Sequence, residues 1–303
     1  MTPCTALVLS GGCLRGFAQI GVLKALASAG IRIDLVVGSS VGAVVGALFA
    51  AGRTPAEIER AAHEVVVARL KQWALSRHGL WSGSGVDALV RRHLPCVRIE
   101  DFPIRFAAVA TCVTTGRLAV FSSGDASQAV VASAAMPGFF VPATVAGRPY
   151  ADGCLVSPLP VRVARAMGAQ RVIAVNTLDP GRAGATGVLN ALLRSSRLMV
   201  HALAAHEAAE ADVLIAPELP AFDEVTPRSR QAVIDAGEHD ARAMLAGHTV
   251  AFAPLGGSAI LSACSNRADP EGYDALAARR WRLGALDGFE GAALSTDSPS
   301  SRR

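Results

Sequence analysis

A short apolar run, Asp34 to Val37, is followed at once by Gly38-Ser39-Ser40-Val41-Gly42 and then by a stretch of Gly, Ala and Val that closes near Gly52. A G-x-S-x-G string set between a strand and a helix is the local context of a nucleophile elbow. The glycines Gly38 and Gly42 let the backbone turn sharply, so the Ser40 hydroxyl projects from the sheet edge. It then stands beside a helix N-terminus, which favours developing negative charge. In a chain this rich in Gly and Ala the same string can also arise by chance and serve only to pack a helix closely on a strand. Its surroundings decide between the two.

A second glycine cluster stands one strand-helix unit earlier. Thr5 to Leu9 is an apolar run without helical periodicity and reads as a buried parallel strand, whereas Phe17, Ile20, Leu23 and Leu26 recur at helical spacing up to Gly30. Between them lies Gly11-Gly12-Cys13-Leu14-Arg15-Gly16. Successive backbone N–H groups at such a junction can form an anion-binding concavity, which the tetrahedral oxyanion of acyl transfer needs. The spacing is neither that of a dinucleotide loop, G-x-G-x-x-G, nor that of a triphosphate loop, G-x-x-x-x-G-K followed by Ser or Thr. A purely structural turn is the remaining alternative. A third feature, Asp152-Gly153, follows an apparent strand pair far downstream. Alone it is an ordinary turn dipeptide.

Elsewhere strands and helices alternate, the pattern of an α/β sheet. Thr54-Pro55-Ala56-Glu57 combines an N-cap, a first-turn proline and a capping-box Glu, and starts a helix expected to reach about Gln72. Gly79 to Gly85 reads as a Gly/Ser loop and Val86 to His93 as a short helix. Phe106 to Val113 and Leu118 to Phe121 read as a strand pair around a tight turn, Ala126 to Ala135 as helix, and Val141 to Val145 with Arg148 to Ala151 as another pair. Then come a helix Pro160 to Met167, a strand Arg171 to Val175, a long helix Leu189 to Glu210, a strand Val213 to Ala216 and an amphipathic helix from about Ser229 to Leu245. Residues 1–246 are thus expected to form one domain. Residues 247–303 mix Gly, Ser, Ala and Asp with a basic patch at Arg279, Arg280 and Arg282, and are expected to be a poorly ordered tail.

The net charge of +4 over 303 residues is small and the Lys and Arg residues are scattered, which argues against nucleic acid as a partner. Peripheral contact with anionic lipid stays open. Six cysteines without a C-x-x-C pair read as buried free thiols and, with no leader-like segment at Met1 to Val8, point to a cytoplasmic setting. No apolar run reaches the roughly 18 to 20 residues of a membrane span. On the long helix His201, His206, Glu207 and Glu210 look like a metal set, but the two histidines lie on diverging faces and a solvated surface is the expected role. Neither a metal nor a cofactor is expected. Trp73, Leu80 and Trp81 form either a lipid-touching flap or core packing.

Taken together, Gly11 to Gly16, Gly38 to Gly42 and Asp152-Gly153 resemble the patatin-like phospholipase family, in its compact bacterial form, over roughly Ala6 to Leu245. The family pattern is a loop G-G-x-R/K-G or a one-residue-longer form, then G-x-S-x-G, then D-G-G/A. Ala132-Ser133-Ala134-Ala135-Met136-Pro137, with Phe140 and Pro142, also looks like the family's segment before the catalytic aspartate. The resemblance implies a three-layer α/β/α sandwich around a mostly parallel sheet, and a metal-independent Ser-Asp dyad acting on lipid acyl esters such as phospholipids or lysophospholipids. In it Ser40 is the nucleophile and Asp152 the proton acceptor, with no histidine required. The N–H groups of Gly11, Gly12, Cys13, Leu14, Arg15 and Gly16 line the oxyanion hole, and Arg15 either stabilises charge or anchors the loop. One position departs: Cys154 follows Asp152-Gly153 where the family has Gly or Ala. The alternatives are a soluble carboxylesterase or thioesterase on short acyl groups, and a regulatory protein on the same fold without catalysis. Oligomeric state is not legible.

Overall fold

Apolar runs without polar alternation suit strands covered on both faces. Three of them, Thr5–Leu9 (β1), Leu35–Ser39 (β2) and Arg171–Val175 (β10), make the buried middle of the sheet. The structure is a computed structural model that describes residues 3–65, 70, 72–74, 76–180, 187–220 and 226–247; apart from Gly247, the expected tail and its Cys264 lie outside them. Hydrogen-bonded neighbours in the eight-stranded sheet run β11-β10-β1-β2-β5-β9-β8, with β6 also on β5. Here β5 is Arg105–Cys112, β6 Leu118–Phe121, β8 Ala143–Val145, β9 Arg148–Asp152 and β11 Val213–Ile215. From β11 to β5 every pairing is parallel, and β6, β8 and β9 add antiparallel ones.

The registers along β5 decide where the chemistry sits. Val109 pairs with Ser39 of β2 and with Val120 of β6, whereas Ala110 pairs with Ala119 of β6 and with Asp152 of β9. Since β6 occupies one edge of β5, β2 and β9 must share the other. They meet there end to end, running in opposite directions, so that Ser39 and Asp152 occupy successive rungs.

Alternate side chains face opposite layers, as strand geometry requires. Leu7, Leu9, Val36, Phe106, Ile173 and Val175 pack against α1 (Phe17–Ser28), α2 (Val41–Ala50), α3 (Pro55–Glu64), α4 (Ser84–His93), α5 (Ala126–Ser133) and α8 (Pro227–Gly247). Ala6, Val8, Leu35, Val37, Val172 and Ala174 pack against α6 (Val161–Ala166) and Ala204 of α7 (Val188–Ala208). The result is the expected α/β/α sandwich around a mixed sheet.

Several expectations need correction. The capping box forms, with Thr54 N–H donating to Glu57 at 2.9 Å, but α3 ends at Glu64 instead of reaching Gln72. Val65, the first of three successive valines, is already extended, as β-branched crowding favours. Gln72–Trp73 is a strand (β3), and it pairs with Gly79–Ser82 (β4), which the composition marked as loop. β4 in turn pairs with Gly138–Phe140 (β7), a strand the sequence did not announce. Of the five described cysteines, all free thiols, only Cys112 is buried, and Cys13 is exposed.

Candidate active site

Ser40 sits between the end of β2 and the first turn of α2 with φ 54° and ψ −123°, a backbone conformation that is strained for any residue with a side chain. The turn is possible because α2 lies directly on the β1 exit. A Cβ on Gly42 would collide with the carbonyl oxygens of Leu9 and Ser10, and one on Gly38 with the Gly42 carbonyl. The Ser40 N–H donates to Ser133 Oγ at 2.9 Å, and the Ser40 hydroxyl donates to Asp152 Oδ2 at 2.7 Å. Both residues are buried. Asp152 is held from three sides: its N–H donates to Ala135 O at 2.9 Å, its carbonyl accepts from Thr111 Oγ1 at 2.8 Å, and Oδ1 accepts from the Cys154 N–H at 2.8 Å. Burial raises its pKa above the usual aspartate value, against the lowering effect of the Cys154 and Ser40 hydrogen bonds. A carboxylate desolvated in this way is a stronger base than one in water.

The glycine loop flanks Ser40. A Cβ on Gly11 would lie 3.4 Å from Ser40 Cβ and would overlap Cys154 Sγ. Gly12 has φ 141°, which suits glycine alone, and Cys13 opens a 3₁₀ turn with φ 50°. The Gly11 N–H is taken by Pro158 O at 3.1 Å and the Arg15 N–H by Gly12 O at 3.1 Å. Among the described residues no acceptor takes the N–H of Gly12, Cys13 or Leu14. The unengaged donor set is therefore these three residues and not the whole string from Gly11 to Gly16. Arg15 anchors the loop: its Nε donates to Thr177 O at 3.2 Å and its guanidinium pairs with Asp179 at 3.2 Å.

A model of the patatin-like phospholipase family matches residues 7–165, more than half of the chain, and the span contains the loop, the elbow and Asp152. The chain belongs to the patatin-like phospholipase family. An uncharacterized NTE family protein of Mycobacterium tuberculosis is 37% identical over 185 residues, which cover 60% of this chain and 51% of that protein. Patatin-like phospholipase domain-containing protein 6 of Homo sapiens is 34% identical over 187 residues, 56% of this chain and 13% of its own length. The chain thus spans about half or less of the length of these curated relatives. Among solved structures, VipD from Legionella pneumophila shares the fold, with a TM-score of 0.57 over 82% of this chain and 67% of VipD at 14% identity.

Ser10, Gln19 and Thr177 of this member of the patatin-like phospholipase family bear on the site without having been singled out in the sequence. Behind the loop, Ser10 Oγ accepts from the Thr177 N–H at 2.8 Å, Thr177 Oγ1 donates to Gly11 O at 3.0 Å, and the buried Gln19 amide donates to Ser10 O at 2.7 Å. Glu207 overturns the expectation of a solvated helix face. It is 2% exposed and accepts from Ser157 Oγ at 2.8 Å and from the Leu159 N–H at 3.1 Å. It thereby pins the segment whose Pro158 carbonyl holds Gly11. Desolvation raises its pKa from 4.5 to about 7. Among the described residues no group of three or more His, Cys, Asp and Glu side chains is arranged to hold a metal ion, and no helix is long and apolar enough to cross a membrane.

Proposed function

We propose that the chain is a serine lipid acyl-hydrolase of the phospholipase A or lysophospholipase type, with Ser40 as nucleophile and Asp152 as base. The observation that carries this is the 2.7 Å hydrogen bond between the Ser40 hydroxyl and a buried carboxylate, made at an elbow beside unengaged backbone donors. Asp152 accepts the hydroxyl proton as Ser40 Oγ attacks the ester carbonyl. The N–H groups of Gly12, Cys13 and Leu14 receive the negative charge that develops on the carbonyl oxygen. Collapse of the tetrahedral intermediate breaks the ester C–O bond, Asp152 returns the proton to the leaving alcohol, and the acyl group stays on Ser40. Water, deprotonated by Asp152, then releases the fatty acid. No step passes through an imidazole or a metal ion.

A fluorophosphonate probe is expected to label Ser40. Ser40→Ala and Asp152→Asn should each lower kcat on p-nitrophenyl esters by about a thousandfold or more, and Ala at His201, His206, His239 or His248 should leave most activity in place. Label on Ser39, or a correctly folded histidine variant as inactive as Ser40→Ala, sinks the dyad. Comparison of short p-nitrophenyl esters with phospholipid vesicles separates a lipase from a soluble esterase.

A further inference from the structure

We propose that the hairpin β3–β4, residues 72–82, docks the protein onto bilayers rich in anionic phospholipid; this deepens the reading of the site as a lipid hydrolase and rests on it. The two tryptophans of the hairpin are directly paired across the strands, yet they have different environments. Trp81 packs against Phe139 and Phe140, with ring centroids 5.5 and 5.7 Å away. Trp73 is 81% exposed, and Leu80, which precedes Trp81 in β4 and so faces the other side of the ribbon, is 48% exposed. Folding therefore leaves one of the hairpin's two tryptophans in water. An indole with its apolar ring and polar N–H is at home at the headgroup level of a membrane.

The charges agree with that occupant. Arg77 and His78 lie exposed between the two strands, and the sequence of the hairpin, residues 72–82, contains no Asp or Glu. An exposed arginine beside a projecting tryptophan, in a segment without acids, is complementary to anionic headgroups. A protein partner fits less well. One Trp and one Leu supply at most roughly 400 Å², against the roughly 800 Å² per partner of a stable interface.

The hairpin is also tied to the site by a short path. β4 pairs with β7, and the Val141 N–H donates to Trp81 O at 2.9 Å. β7 leaves directly from the segment in which Ser133 holds the Ser40 N–H and Ala135 O holds the Asp152 N–H. A bilayer gripped at Trp73 is thus held by the structure that also frames the dyad.

The test uses the full chain in sedimentation with phosphatidylcholine vesicles and with the same vesicles containing phosphatidylglycerol, alongside Trp73→Ser, Leu80→Ser and Arg77→Glu. Wild type is expected to bind the anionic vesicles and not the zwitterionic ones. Each variant should lower the bound fraction about fivefold or more and lower vesicle hydrolysis in parallel, while turnover of soluble p-nitrophenyl butyrate stays within twofold of wild type. Equal binding by the variants, or equal binding to both kinds of vesicle, overturns the proposal. A concentration-dependent dimer in light scattering that Trp73→Ser abolishes also overturns it and assigns the surface to a second copy. If wild type hydrolyses no ester at all but still binds anionic vesicles through Trp73, the docking stands and the hydrolase reading fails.

Discussion

Ser40 holds a φ of 54° at the point where its hydroxyl must meet Asp152. Such backbone strain costs about 1 to 3 kcal/mol in a residue with a Cβ and much less in glycine. Ser40→Gly should therefore be more stable than Ser40→Ala by about 1 kcal/mol or more, although both lack the hydroxyl, and a urea titration of the pair reads this directly. Glu207 stores a different cost. Its folded pKa is raised from 4.5 to about 7, so its contribution to stability is fully present below pH 4.5 and is lost as pH rises through 7. The shift corresponds to about 3 kcal/mol. The urea midpoint of wild type should fall between pH 5 and pH 8 relative to that of Glu207→Gln, which stays neutral; parallel profiles would refute this. Ser40 was legible because glycines on both sides advertise an unusual turn. Glu207 was not, because its neighbours His206 and Glu210 are exposed, and only the folded Ser157 to Leu159 segment brings the donors that justify burying it.

Elements read well where a long apolar pattern had one solution. β1, β2, β10, α1 and α2 fall within a few residues of their expected places, because strands covered on both faces and helices packed on a sheet leave strong patterns. β3, β4 and β7 have two to four residues each, and β4 and β7 begin on glycine, so nothing periodic marks them. The support of the glycine loop was hidden for another reason: it joins Ser10, just past β1, and Gln19 of α1 to the residue two beyond β10, 167 residues after Ser10. Thr177 is the hinge of that support. Thr177→Val keeps the backbone bond to Ser10 but loses the hydroxyl that holds the Gly11 carbonyl, so the loop donors lose their aim. The expected outcome is a fall in kcat of roughly tenfold with KM little changed, since a misplaced donor is felt mainly in the transition state. A change confined to KM would remove Thr177 from that role.

At the scale of the whole molecule, the α/β/α class followed from alternation and motif order, but the end-to-end meeting of β2 and β9 did not. It depends on β5 pairing with β2 as far as Val109 and with β9 from Ala110 onward, a change of partner that no local pattern encodes. That arrangement places Ser40, the proposed nucleophile, early in the chain and Asp152, its proposed base, 112 residues later. While the protein is being synthesised, the first half emerges with a serine, an elbow and a loop of donors, and nothing to take a proton. β1 meanwhile waits for β10 to fill its open edge and for Thr177 to brace the loop beside it. Synthesis runs at about 5 to 20 residues per second, so a stage lasting several seconds without Asp152 precedes every complete molecule. If Ser40 and Asp152 are the reacting pair, the sequence order of the two strands acts as a safety catch that releases only when the sheet is complete.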